Sequence, residues 1–121
     1  MLAEVKNARQ VKGEGTRRWF RDDDLDLIVW YDSSGKLDGF QLCYNKQQAE
    51  RALTWRSSGS YQHNAIDPGE VPGQSKMSPI LVADGTFDKE QIARIFDERS
   101  SRIEPDLAEL IKKKIRAYPG E

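Results

Sequence analysis

The sequence predicts an α+β domain, an antiparallel β-meander of about five or six strands with two C-terminal helices packed on one of its faces. Three observations predict it. The first half of the chain is built of aromatic and β-branched runs separated by turn residues, the last third spaces its apolar residues helically, and LDLIVWYDSSGKLDGFQLCY has the form of a β-hairpin. No repeat is visible, so the 121 residues are read as a single domain.

From the N-terminus, Val5–Val11 reads as a weak strand and Gly13-Glu14-Gly15 as a turn into a second strand, Thr16–Phe20. The hairpin follows around Asp32-Ser33-Ser34-Gly35. Asp and Ser can bond the turn's own backbone, and Gly35 supplies the positive φ that a bulged loop needs. With that loop Tyr31 pairs with Leu37 and Ile28 with Phe40. One face then carries Ile28, Trp30, Phe40, Leu42 and Tyr44, and the other Leu25, Leu27, Val29, Tyr31, Leu37 and Cys43. Both faces are apolar on this register, which places the hairpin centrally, with helices on one side and curled sheet or a partner on the other.

Ala49–Trp55 reads as the next strand and Tyr61–His63 as an extension of the meander. Asn64–Ser78 holds Pro68-Gly69 and Pro72-Gly73 with few apolar residues and is read as a long loop, either mobile or binding, and Pro79–Ala83 as a short buried strand. The first helix begins at Asp88, an N-cap answered by Gln91, with Phe87 placed to staple onto Ile92; Ile92, Ile95, Phe96 and Arg99 mark one face. The second begins at Pro105. Leu107, Leu110, Ile111 and Ile115 form its stripe, and Lys112, Lys113, Lys114 and Arg116 crowd its negative end.

Composition narrows the function. Leu, Ile, Val and Phe make 26 of the 121 residues, enough for a modest core, and the net charge of −1 gives no field to draw in nucleic acid or an acidic membrane. Cys43 is the single cysteine, so no internal disulfide is available, and no apolar run is long enough to span a bilayer; the cytoplasm is the expected location.

Few motifs suggest chemistry. Arg17-Arg18-Trp19-Phe20-Arg21 interleaves stacking aromatics with guanidiniums, as single-strand nucleic-acid binders do, but Asp22, Asp23, Asp24 and Asp26 follow at once and are read as cancelling the potential. The same aspartates fail as a calcium loop, because Leu27 stands where glycine and Ser33 where glutamate is needed. Cys43 and His63 are the one thiol–imidazole pair the chain could build, with no support from their spacing. Gly13-Glu14-Gly15 is too short to cradle phosphate, and there is no Walker motif, dinucleotide fingerprint or zinc set, so no cofactor or metal is expected. Arg51, Trp55, Arg56, Tyr61, His63, Asn64 and Asp67 concentrate polar and aromatic side chains beside the long loop, and of these Arg51, Trp55, Tyr61, His63, Asn64 and Asp67 are the candidate ligand-binding residues.

The segments RRWF at 17–20, DLIVW at 26–30, GFQLCY at 39–44 and ALTW at 52–55 resemble those of a group of small bacterial proteins with no assigned activity. The resemblance spans residues 13–100. It implies a stand-alone bacterial domain and lends no catalytic residue.

The reading expected from sequence is therefore a non-catalytic protein-interaction module. It would use the second apolar sheet face or the Lys-rich last helix, and a homodimer is one form it would take. The alternative is a small-ligand-binding domain or weak enzyme at Arg51, Tyr61, His63 and the loop 64–78. Nucleic acid and membrane are not expected as partners.

Overall fold

The computed structural model describes residues 1–6, 15–45, 50–66, 81–83 and 88–119. Seven strands form one antiparallel sheet in chain order: β1 (Ala3–Glu4), β2 (Arg17–Arg21), β3 (Asp26–Tyr31), β4 (Leu37–Tyr44), β5 (Arg51–Arg56), β6 (Tyr61–Ile66) and β7 (Leu81–Ala83). Two helices follow, α1 (Lys89–Arg99) and α2 (Pro105–Arg116). This is the α+β meander with C-terminal helices that the sequence predicts. The described first strand is only Ala3–Glu4, Asn64–Ile66 belong to β6, and 67–78 lie outside the described residues, as does the Phe87 staple.

The turns form for the reasons the sequence states. Asp32 Oδ1 accepts from the amides of Ser34 (2.9 Å) and Lys36 (3.0 Å), and Gly35 takes φ +87°. The β5–β6 hairpin is built alike. Gly59 takes φ +97° and its amide donates to the Arg56 carbonyl at 2.8 Å.

The register of β3 with β4 corrects the sequence reading. Tyr31 does pair with Leu37, but a bulge intervenes: Trp30 pairs with Gly39, Val29 with Phe40 and Ile28 with Gln41. Asp38 is the extra residue. One inserted residue exchanges the faces of everything beyond it, so Leu27, Val29, Phe40, Leu42 and Tyr44 share one face while Ile28, Trp30, Gln41 and Cys43 share the other.

The main hydrophobic cluster lies on the first of these faces, although Cys43 on the second is buried as well. Phe20, Leu27, Val29, Phe40, Leu42, Leu53 and Trp55 pack into one cluster with Ile92, Ala93 and Phe96 of α1 and Ile111 and Ile115 of α2. The stripes at i, i+3, i+4 turn both helices' apolar sides onto the sheet. Asp88 caps α1 through a 3.1 Å bond from the Gln91 amide, and Pro105 opens α2. Leu2, fully buried, donates its amide to the Arg99 carbonyl and fixes the N-terminus beside the end of α1. No described helix is long and apolar enough to cross a membrane.

Candidate functional site: the open face of the sheet

The ladders align side chains in rows. Arg17, Trp30, Gly39 and Arg56 form one row across β2 to β5; Trp19, Ile28, Gln41, Thr54 and Gln62 form the next; Arg21, Asp26, Cys43, Ala52 and Asn64 form the third. All lie on the face opposite the helices. Among the described elements none packs over them; Trp19, Ile28, Trp30, Gln41 and Thr54 are half-buried, whereas Gly39, Cys43 and Ala52 of the same rows are buried.

Two indoles on this face are covered by guanidiniums. Arg21 lies 4.9 Å from the Trp19 ring centroid, and Arg56 lies 4.3 Å from that of Trp30. The second contact spans two strands, because the residue between them is Gly39. A Cβ there would sit 3.1 Å from Arg56 Cδ and 2.5 Å from the Trp55 carbonyl oxygen, so the missing side chain is what lets Arg56 reach Trp30. Arg21 also meets Asp26 at 3.3 Å, and Gln41 donates to Thr54 at 3.1 Å. The Trp19 indole N–H and the Asn64 carbonyl oxygen are enclosed and meet no hydrogen-bond partner among the described residues. At the hairpin end the face opens into a cleft of about 560 Å³ bordered by Arg17, Trp30, Asp32, Asp38 and Arg56.

The acidic segment after β2 does not oppose these arginines as the sequence suggests. Asp22 folds back on its own turn, accepting from the amides of Asp24 and Leu25 at 2.8 Å each, and pairs with Arg99 at 3.2 Å; Asp24 meets Arg99 at 2.7 Å. Burial works against the Asp22 charge, but those amides and the N-terminal ammonium outweigh it and hold the carboxyl below its ordinary value. Asp26 alone of the four faces the open sheet by register with Arg21. Arg18 points the other way, to the helix layer, where Glu4 (2.8 Å) and Glu104 (2.9 Å) hold it. Its hydrogen bonds lower both glutamates' pKa values.

The residues predicted as a ligand site divide. Arg51, Trp55, Tyr61 and His63 share the helix-side face, as alternation requires, whereas Asn64 points to the opposite face and Asp67 lies outside the described residues. Three of the four are fastenings of α2 and the sheet. Trp55 packs on Phe40, centroids 5.9 Å apart, beneath the Lys114 ammonium; Tyr61 Oη donates to the Lys114 carbonyl at 2.9 Å; and His63, buried, is hydrogen-bonded to Tyr44 Oη and edged by Tyr118. Arg51 borders a cleft of about 230 Å³ with Tyr44, Asp88 and Gln91. Cys43 and His63 stand on opposite faces of the sheet, so they form no dyad. Among the described residues no three His, Cys, Asp or Glu side chains are grouped to hold a metal ion.

Trp30, Gln41 and Thr54 are the site residues that sequence reading misses; Arg56 it notes, but beside Arg51 and Tyr61 rather than over Trp30. A glycine inside an otherwise apolar strand is the one local signal, since it marks a close approach. No protein-family model, no curated protein and no solved structure matches this chain.

Proposed function

We propose that this chain is a non-catalytic protein-interaction module whose working surface is the open face of its sheet. The observation that carries this is the composition of that face. Across β2 to β6 it presents two tryptophans, an isoleucine and three arginines, with no lysine and no glutamate. That is the bias of protein interfaces, which enrich Trp and Arg and deplete Lys and Glu. Tryptophans held by arginines are also preorganised, so less side-chain entropy remains to be lost on docking. The Lys-rich last helix, the other surface the sequence offers, supports the reading less well: Lys112 is taken by Asp97 (2.7 Å) and Glu109 (2.8 Å), and Lys114 lies over Trp55.

The test is site-specific photo-crosslinking in cells that make the protein, with the reactive residue at Thr54 on the open face or at Glu109 on α2. Discrete protein adducts from Thr54 and none from Glu109 are expected. No adduct at Thr54, or the same adducts from both positions, contradicts the proposal.

A further inference from the structure

We infer that the partner of the open face is a second copy of this chain, docked face to face about a two-fold axis that runs along β4. The inference rests on the reading of that face as the working surface and adds its occupant. The face is lopsided about β4. On one side stand large side chains, Trp19 and Arg21 of β2 with Ile28 and Trp30 of β3; on the other stand smaller, mostly polar ones, Ala52 and Thr54 of β5 with Gln62 and Asn64 of β6. The exception is Arg56, which leans across Gly39 onto Trp30.

A two-fold axis along β4 exchanges β3 with β5 and β2 with β6, so each copy's large half lies over the other's small half. Ile28 then stands opposite Thr54 of the second copy, Trp19 opposite its Gln62 and Arg21 opposite its Asn64. The two enclosed polar atoms of the face, the Trp19 indole N–H and the Asn64 carbonyl oxygen, thus belong to side chains set opposite an amide and a guanidinium.

Charge agrees with this axis. The cleft at the hairpin end is bordered by two guanidiniums, Arg17 and Arg56, and two carboxylates, Asp32 and Asp38, and Arg21 brings Asp26 with it. No charged residue of the three rows faces its like, whereas a two-fold axis along the rows would set Arg17 opposite Arg21. Five strands about 4.8 Å apart and three rows about 6.8 Å apart span roughly 20 by 20 Å. That is small for a specific interface, so the dimer is reversible, with a dissociation constant of roughly micromolar order.

The experiment is sedimentation equilibrium of the full chain from about 1 to about 500 μM. Ile28→Lys and Thr54→Asp are run alone and then mixed as separate chains. A reversible dimer is expected for the parent, weakened about tenfold or more in each folded single variant. The mixture should regain a dimer within about threefold of the parent, because the new ammonium of one chain lies opposite the new carboxylate of the other while their second pair is unchanged.

If either variant unfolds, thiol crosslinking of Gln41→Cys in a Cys43→Ala chain decides. On the axis, position 41 faces its own copy, and a bis-maleimide reaching about the 10 Å between stacked sheets should join two chains; Gln62→Cys in the same background, about 20 Å from its copy, should stay single. A monomer at every concentration, single variants that associate like the parent, a mixture no tighter than its components, or equal joining at 41 and 62 overturns the inference. A monomer whose Thr54 photo-crosslinks to a different protein leaves the interaction-module reading standing; absence of any Thr54 adduct removes both.

Discussion

The two faces of this sheet use the same residue types for different ends. On the helix side Phe40 and Trp55 pack ring against ring under α2, and Arg18 is locked between Glu4 and Glu104. On the open side Trp19 and Trp30 lie under Arg21 and Arg56, and Asp26 pairs with Arg21. Cations meet rings on the helix side too, Arg18 over Phe20 at 4.9 Å and Lys114 over Trp55 at 5.0 Å, but those rings are buried, whereas Trp19 and Trp30 are half-buried. Substitutions on matched positions should therefore have unequal costs.

The largest difference is expected between neighbours on β4. Phe40→Ala removes a fully buried ring and should cost about 3–5 kcal/mol in urea unfolding, whereas Gln41→Ala, one residue on, should cost about 1 kcal/mol or less. Equal costs would mean that both faces are core. Next comes Asp22→Ala, at about 2 kcal/mol, because two turn amides and Arg99 lose their acceptor together.

The carboxylates of the helix side set the acid limit. Asp22, Glu4 and Glu104 all titrate below their ordinary values when folded, so their contribution is complete above the unfolded range near pH ~4 and is lost as pH falls through the lower folded values. Acid unfolding of Asp22→Asn should accordingly show a shallower loss of stability below that range than the parent chain.

Smaller effects separate the arginines. Arg18→Ala should cost about 1 kcal/mol through its paired glutamates and buried stem, and Asp88→Ala a similar amount through the α1 cap. Arg56→Ala should stay within about 0.5 kcal/mol, since what it loses is one exposed cation–π contact. An Arg56 cost as large as that of Arg18 would assign it to the fold rather than to binding.

Much of this fold is written locally. Asp32, Ser34 and Gly35 specify their turn by side-chain and φ chemistry, Asp88 and Pro105 start their helices where capping rules place them, and Ile92, Phe96, Ile111 and Ile115 are core as their spacing requires. The face assignments were not legible, because Asp38 slips in as a bulge residue with no signature of its own and exchanges the sides of β3. Val29, read from sequence as part of a second apolar face, is thereby fully buried beneath the helices.

The candidate site suffers from the same limit. Residues 51, 55, 61 and 63 do converge, as period-two alternation says, and that alternation also turns Asn64 away from His63. Trp30 and Arg56 meet only through the registers of three strands and the absence of a side chain at Gly39, a relation between distant residues that no local pattern encodes.

The most direct measurement is a paired one on adjacent residues of β3. Val29→Asp and Ile28→Asp are melted side by side by circular dichroism, and the folded variant is crosslinked from Thr54. A carboxylate at position 29 is buried without a partner and should abolish folding, while one at position 28 should leave a cooperative transition and remove the Thr54 adducts. If Ile28→Asp also fails to fold, or folds and keeps those adducts, the open face is not the surface through which this protein works.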